Sequence, residues 1–125
     1  MKFRLILLLH TCVLLAACQS TPSTLYYWGD YEQLLYDMYN QPGRAMPEMQ
    51  IDKLSADVER AQHSGRKIAP GIHAHLGLMF ASIGNMAAAE AAFNNEKALY
   101  PESAILLDGM LQRAHEARKN REYNP

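Results

Sequence analysis

His73, His75 and Glu96 are the side chains in this chain best suited to chemistry, and their spacing limits what that chemistry can be. His73-x-His75 suggests a metal chelate. On a helix, however, residues two apart point about 200° from each other, so the pair cannot grip one ion from one face. No histidine stands four residues from either, and His63 and His115 are remote in sequence. No metal is expected; one of the pair should be partly buried and the other solvated. Glu96 stands on a packed helix face, where a carboxylate needs a partner. General acid–base catalysis needs a nucleophile or a second acid at a fixed offset, and none is present. The expectation is a buried contact between Glu96 and His73 that sets helix register, with no catalytic residue and no cofactor.

The remaining reactive group is the thiol of Cys18. Leu15-Ala16-Ala17-Cys18 closes a segment that opens on Lys2 and Arg4 and continues through an apolar run from Leu5 to Leu15, broken only by His10 and Thr11. Basic head, short apolar stretch and small residues, in that order, mark a cleavable secretory signal. The run is too short to cross ~30 Å of hydrocarbon as a helix. The four residues resemble the lipobox of bacterial lipoproteins. That resemblance implies a signal peptide over 1–17, a diacylglycerol thioether on Cys18, and acylation of the new amine by palmitate or a similar chain. Gln19 and Ser20 follow Cys18, without an aspartate, which by resemblance to lipoprotein sorting implies the outer membrane, with the protein facing the periplasm. Residues 18–25 then form a lipidated tether, and Cys18 to Thr24 can reach at most about 25 Å at ~3.3–3.6 Å per residue. The folded part is expected close to the membrane.

Loss of the signal also removes Cys12, so no disulfide is available to the mature chain and its stability must come from packing. Lys2 and Arg4 leave as well, so the 12 basic and 13 acidic residues of the whole chain become ten and 13, a charge of −3. Such a balance draws in neither nucleic acid nor anionic lipid. The membrane partner is reached through the lipid on Cys18.

The elements that position these groups are helical, and together they predict an all-α domain over 26–119 with a flexible tail at 120–125. Asp30 is placed to cap a first helix that runs to about Asn40, with Tyr31, Leu35, Met38 and Tyr39 on its apolar face and Gln41-Pro42-Gly43 ending it. A second starts near Pro47 and stops at Gly65, with Ile51, Leu54, Val58 and Ala61 inward. A third spans Pro70 to Gly84. Asn85 caps a fourth that runs to about Tyr100. Pro101-Glu102 opens a fifth, with Leu107, Met110, Leu111 and Ala114 inward. The methionines after Met1 show no Met-x-Met metal pattern and serve as adaptable filling.

From His73 to Pro101 the residues fit the tetratricopeptide pattern of a 34-residue helical hairpin. The matching positions read His73-x₂-Leu76-Gly77-x₂-Phe80, a turn at Gly84-Asn85, Ala89-x₃-Phe93, then Pro101. Gly77 and Ala89 are small where two helices approach closely, and Phe80 and Phe93 fill the groove between them. His73 stands where the pattern has Trp, and Glu96 where it has a small residue. Asp30 to His63 has the size of a diverged first hairpin, so the expected architecture is about five helices: two tetratricopeptide-like hairpins and a C-terminal cap.

Beyond the repeat, Tyr26-Tyr27-Trp28-Gly29-Asp30-Tyr31, Leu76-Gly77 to Gly84-Asn85, and Phe93 to Glu102-Ser103 resemble a family of uncharacterised bacterial lipoproteins. These are often encoded beside a lipoprotein similar to the curli secretion channel and another small lipoprotein. The resemblance implies a place in an envelope assembly, with such a lipoprotein as a possible partner, and no known chemistry. The aromatic run just past the anchor could lie at lipid headgroups, staple the first helix, or dock a partner through Tyr27 and Trp28. The function expected is a non-enzymatic, outer-membrane adaptor for envelope secretion or assembly. A pilotin-like chaperone of a channel subunit is the alternative within the binding class, and a periplasmic enzyme or metal-binding lipoprotein is the alternative outside it.

Overall fold

The computed structural model describes residues 24–123; the lipobox, Cys18 and residues 124–125 lie outside them. The described chain is all-α. Its helices are α1 (Tyr31–Asn40), α2 (Pro47–His63), α3 (Ile72–Ser82), α4 (Met86–Leu99) and α5 (Ala104–Tyr123), with single 3₁₀ turns at Pro42–Arg44 and Pro101–Ser103. The only β pairing among the described residues is an isolated parallel bridge between Tyr27 and Ile68.

The expected punctuation residues end the helices by one shared device. After α3, Gly84 takes φ +81°. Its N–H donates to the Ala81 carbonyl at 3.0 Å, and the Asn85 N–H donates to the Phe80 carbonyl at 2.9 Å. After α2, Gly65 at φ +65° lets its own N–H reach Gln62 and that of Arg66 reach Ala61. Both are Schellman motifs, which need the left-handed conformation that glycine reaches without a Cβ clash. Asn85 then caps α4 by accepting from the Ala88 N–H at 3.2 Å.

The α3–α4 hairpin is the most extensively packed pair, and α2 also packs against α3. Gly77 sits at the helix contact: a Cβ added there would lie 2.6 Å from the Phe93 ring. Ala89, Phe93 and Leu107 form one core, with Met110 and Leu111 of α5 packed on it as a cap. Leu34, Leu54, Ile68, Ile72 and Leu76 anchor a second core, against which Tyr26, Tyr27 and Tyr31 pack. Phe80 touches both cores and joins them.

Several expectations need correction. On α1 Tyr39 points outward, 78% exposed, whereas Leu34 is buried to 2% and Asp37 to 4%. Asp37 is tolerated inside because Gln33 donates to it at 2.9 Å and Lys53 of α2 lies 3.9 Å away. On α2 the fully buried stripe is Gln50, Leu54, Asp57 and Ala61, with Ile51 and Val58 only half-buried beside it. α3 begins at Ile72 and not at Pro70, because Gly71 holds φ +90° and cannot be helical. The supposed tail at 120–125 is helical as far as Tyr123. No proline or glycine interrupts the end of α5 before Pro125, and Gln112 bridges to Glu116 one turn on at 3.0 Å.

Candidate functional site

The aromatic segment that precedes α1 is tied to the α2–α3 linker. The Tyr27 N–H donates to the Lys67 carbonyl at 2.7 Å, and the Ala69 N–H donates to the Tyr27 carbonyl at 3.0 Å. The Arg66 guanidinium donates to the Thr24 carbonyl at 3.0 Å, to the Thr24 hydroxyl and to the Tyr26 carbonyl at 2.6 Å. The same guanidinium covers the Tyr27 ring, 5.5 Å from its centroid, a cation–π contact. Tyr26 meets Tyr100 edge-on at 6.0 Å, and the Tyr100 hydroxyl donates to the Ile68 carbonyl.

Clamped in this way, the segment divides the roles of its rings. Tyr26 and Tyr27 are half-buried against the core, whereas Trp28 remains 42% exposed. The indole lies 6.3 Å from the Tyr31 ring. Tyr31 in turn opens an apolar groove of about 330 Å³ between α1 and α3, lined by Leu35, Met38, Leu78 and Met79, with His75 in its floor. Leu78 is 41% exposed on its rim. Leu35, Met38 and Met79 are half-buried in its walls.

Neither histidine is solvated: His73 is 6% and His75 8% exposed. The Gln50 amide N–H₂ donates to the Ala45 carbonyl at 2.6 Å, which turns its oxygen toward His75 Nε2, 2.8 Å away. His75 therefore carries its proton on Nε2, and Nδ1 accepts from the Tyr31 hydroxyl at 3.3 Å. One ring thus ties α1, α2 and α3 together. Burial pushes the imidazole below its ordinary pKa, and burial likewise pushes the Tyr31 hydroxyl up, with lesser help from Glu96 and Tyr39.

The expected Glu96–His73 ion pair does not form. Glu96, 2% exposed, instead accepts from the backbone N–H of Gly71 at 2.7 Å and of Ala74 at 3.3 Å. It caps α3 from the neighbouring helix, where the helix dipole favours a carboxylate. His73 keeps a buried Nδ1 without a partner. Burial lowers its pKa, and the nearby Glu96 charge partly offsets this. The first hairpin repeats the device. Asp57 of α2, 1% exposed, accepts from the Asp30 N–H at 3.1 Å and from the Arg60 guanidinium at 2.6 Å. Gly29 is required beneath it, since a Cβ there would fall 2.0 Å from the Asp57 carboxylate. The Asp30 side chain, expected to cap α1, is 68% exposed and lies 3.7 Å from Arg60. Asp57 and Glu96 are thus both bonded to backbone amides, whereas the third buried carboxylate, Asp37, is held by the Gln33 side chain. Among the described residues no three His, Cys, Asp or Glu side chains gather as a metal set, and no helix is long and apolar enough to cross a membrane.

Fold and surface together define an all-α hairpin-repeat protein with a fixed aromatic segment at its N-terminal side. The model of a family described as a domain of unknown function, DUF4810, matches residues 25–110, and the chain belongs to that family. No curated protein and no solved structure matches the chain.

Proposed function

We propose that the protein is a lipid-anchored adaptor of the bacterial envelope. In this reading Cys18 holds the chain to the outer membrane, and the helical domain holds a partner protein in the periplasm without catalysing a reaction. The observation that carries it is Trp28, 42% exposed and 6.3 Å from the Tyr31 ring, which lines an apolar groove between α1 and α3. Tryptophan side chains of this kind are enriched among the anchors that carry interface energy. The short reach from Cys18 to Thr24, about 25 Å at ~3.3–3.6 Å per residue, keeps this surface near the membrane. A partner that is itself membrane-bound, such as a lipoprotein similar to the curli secretion channel, meets it at high local concentration.

The experiment is recovery of partners by the tagged full-length protein from detergent-solubilised envelopes, compared with Trp28→Ala, Leu78→Glu and Cys18→Ala. The expected result is a severalfold loss of the channel-like lipoprotein with Trp28→Ala and Leu78→Glu, at unchanged membrane association and unchanged melting. Cys18→Ala is expected to lose acyl labelling and membrane retention. Label retained on Cys18→Ala would refute the anchor, and undiminished recovery by both surface variants would refute the docking surface.

A further inference from the structure

The ring of His75 is shared by three helices, and its hydrogen bonds fit only one charge state. Nε2 faces the Gln50 oxygen of α2 at 2.8 Å, and Nδ1 accepts from the Tyr31 hydroxyl of α1 at 3.3 Å. A second proton would turn Nδ1 into a donor. The Tyr31 hydroxyl could accept it only by turning its own hydrogen toward the groove, whose other lining side chains are Leu35, Met38, Ala74, Leu78 and Met79. None of these carries an oxygen or nitrogen to receive that hydrogen. Nor does a carboxylate balance the charge, since among the described residues His75 has no ion-pair partner. Asp37 of α1 is held by Gln33, with Lys53 of α2 nearby. Asp57 of α2 is held by the Asp30 amide and Arg60. Glu96 of α4 is held by the Gly71 and Ala74 amides.

The helix that Tyr31 begins is also the one best able to yield. α1 packs on its neighbours less than α2 packs on α3 or α3 on α4, and Leu34 is its only fully buried apolar side chain. Segments with so few buried contacts open on their own, ahead of the core. We propose that protonation of His75 releases α1 from α3, dismantling the groove beside Trp28 while the α3–α4 hairpin stays folded. Opening lifts Tyr31 off the ring and lets water solvate an imidazolium that burial disfavours in the closed form. The closed form is therefore fully favoured above the pKa of an exposed histidine, about 6.5. Below it, each pH unit shifts the balance toward opening by up to about tenfold, until His75 titrates in the closed form as well. As a regulator of docking the switch rests on the adaptor reading; the opening itself does not. In the proposed periplasmic location the domain meets the pH of the medium through water-filled porins.

The test is hydrogen exchange of the full-length protein in lipid nanodiscs at pH 7.5 and 5.5, corrected for intrinsic rates. Amides of α1 should exchange ahead of those in α3 and α4 at both pH values. Their protection should fall about tenfold between the two, as the titration of one histidine dictates. His75→Gln, neutral throughout, should remove this response, whereas His73→Phe should leave it in α1. Gln50→Glu sets a carboxylate beside Nε2 and should keep α1 as protected at pH 5.5 as at 7.5. Recovery of the channel-like lipoprotein should drop in acid with the wild type and not with Gln50→Glu. An acid response of α1 that persists in His75→Gln would overturn the proposal, and so would α1 amides that exchange only together with those of α3 and α4. Where His75→Gln fails to fold, Gln50→Glu decides alone, and an unchanged acid response in it is equally fatal. Opening of α1 in acid with undiminished recovery would keep the switch and refute the docking reading.

Discussion

Glu96, in the last turn of α4, accepts the Gly71 N–H at 2.7 Å, and so one helix supplies the cap of the helix beside it. Asp57 does the same for Asp30 at 3.1 Å in the first hairpin. This shared geometry relates the two hairpins more clearly than their sequences do. In each, the returning helix brings a carboxylate back to the start of the outgoing one, where free N–H groups would otherwise be buried.

Removing either carboxylate should therefore unfold the domain more readily than its place on a helix face suggests. Glu96→Ala leaves the Gly71 and Ala74 amides unmet and opens a cavity, for an expected loss of ~2–5 kcal/mol. Glu96→Gln keeps one acceptor and should lose less. Chemical denaturation of both variants decides this: equal losses would mean that the carboxylate contributes only volume.

Gly77→Ala should already destabilise, and Gly77→Leu more so, because a first carbon at residue 77 lies 2.6 Å from the buried Phe93 ring. The overpacking is expected at ~1–3 kcal/mol. The gain in helix propensity over glycine, ~1 kcal/mol, is too small to reverse it. Phe93→Leu in the Gly77→Ala background should recover part of the loss, and thermal melts showing no such coupling would count against the contact.

Mild acid should weaken the fold. Burial holds His73 and His75 below their ordinary pKa, so as pH falls through about 6.5 the unfolded chain binds protons that the folded chain refuses. Stability is then full above about pH 7 and declines toward pH 5. The decline should become shallower in His75→Gln and in His73→Phe. A melting midpoint that is flat or rising between pH 7.5 and 5 would contradict it.

Tyr27 and Trp28 are adjacent but should separate in melting experiments. Tyr27→Ala removes a ring packed on the core and under Arg66, for an expected loss of ~1–3 kcal/mol. Trp28→Ala truncates a side chain that is 42% exposed and should stay within about 0.5 kcal/mol. Equal effects would place both rings in the core and remove Trp28 as an interface residue.

Helix order and the stops at Gly65 and Gly84 were legible from residue types, and the close helix approach at Gly77 from the repeat pattern; that Phe93 is what Gly77 meets came from the structure. Glycine alone ends a helix left-handed without strain, and only a small residue lets two helices touch at that spacing. The charge balance is an equally local reading. The polar interior was not legible. The buried stripe of α2 is Gln50, Leu54, Asp57 and Ala61, and its two polar members shift the apparent apolar face by one residue toward Ile51 and Val58. What makes Asp57 an inside residue is the Asp30 amide, 27 positions earlier in the chain, just as Glu96 is settled by Gly71 and Gln50 by His75. A polar side chain enters a core only where a specific partner waits. Sequence shows which residues would need such a partner, and only the folded chain brings the partner to them.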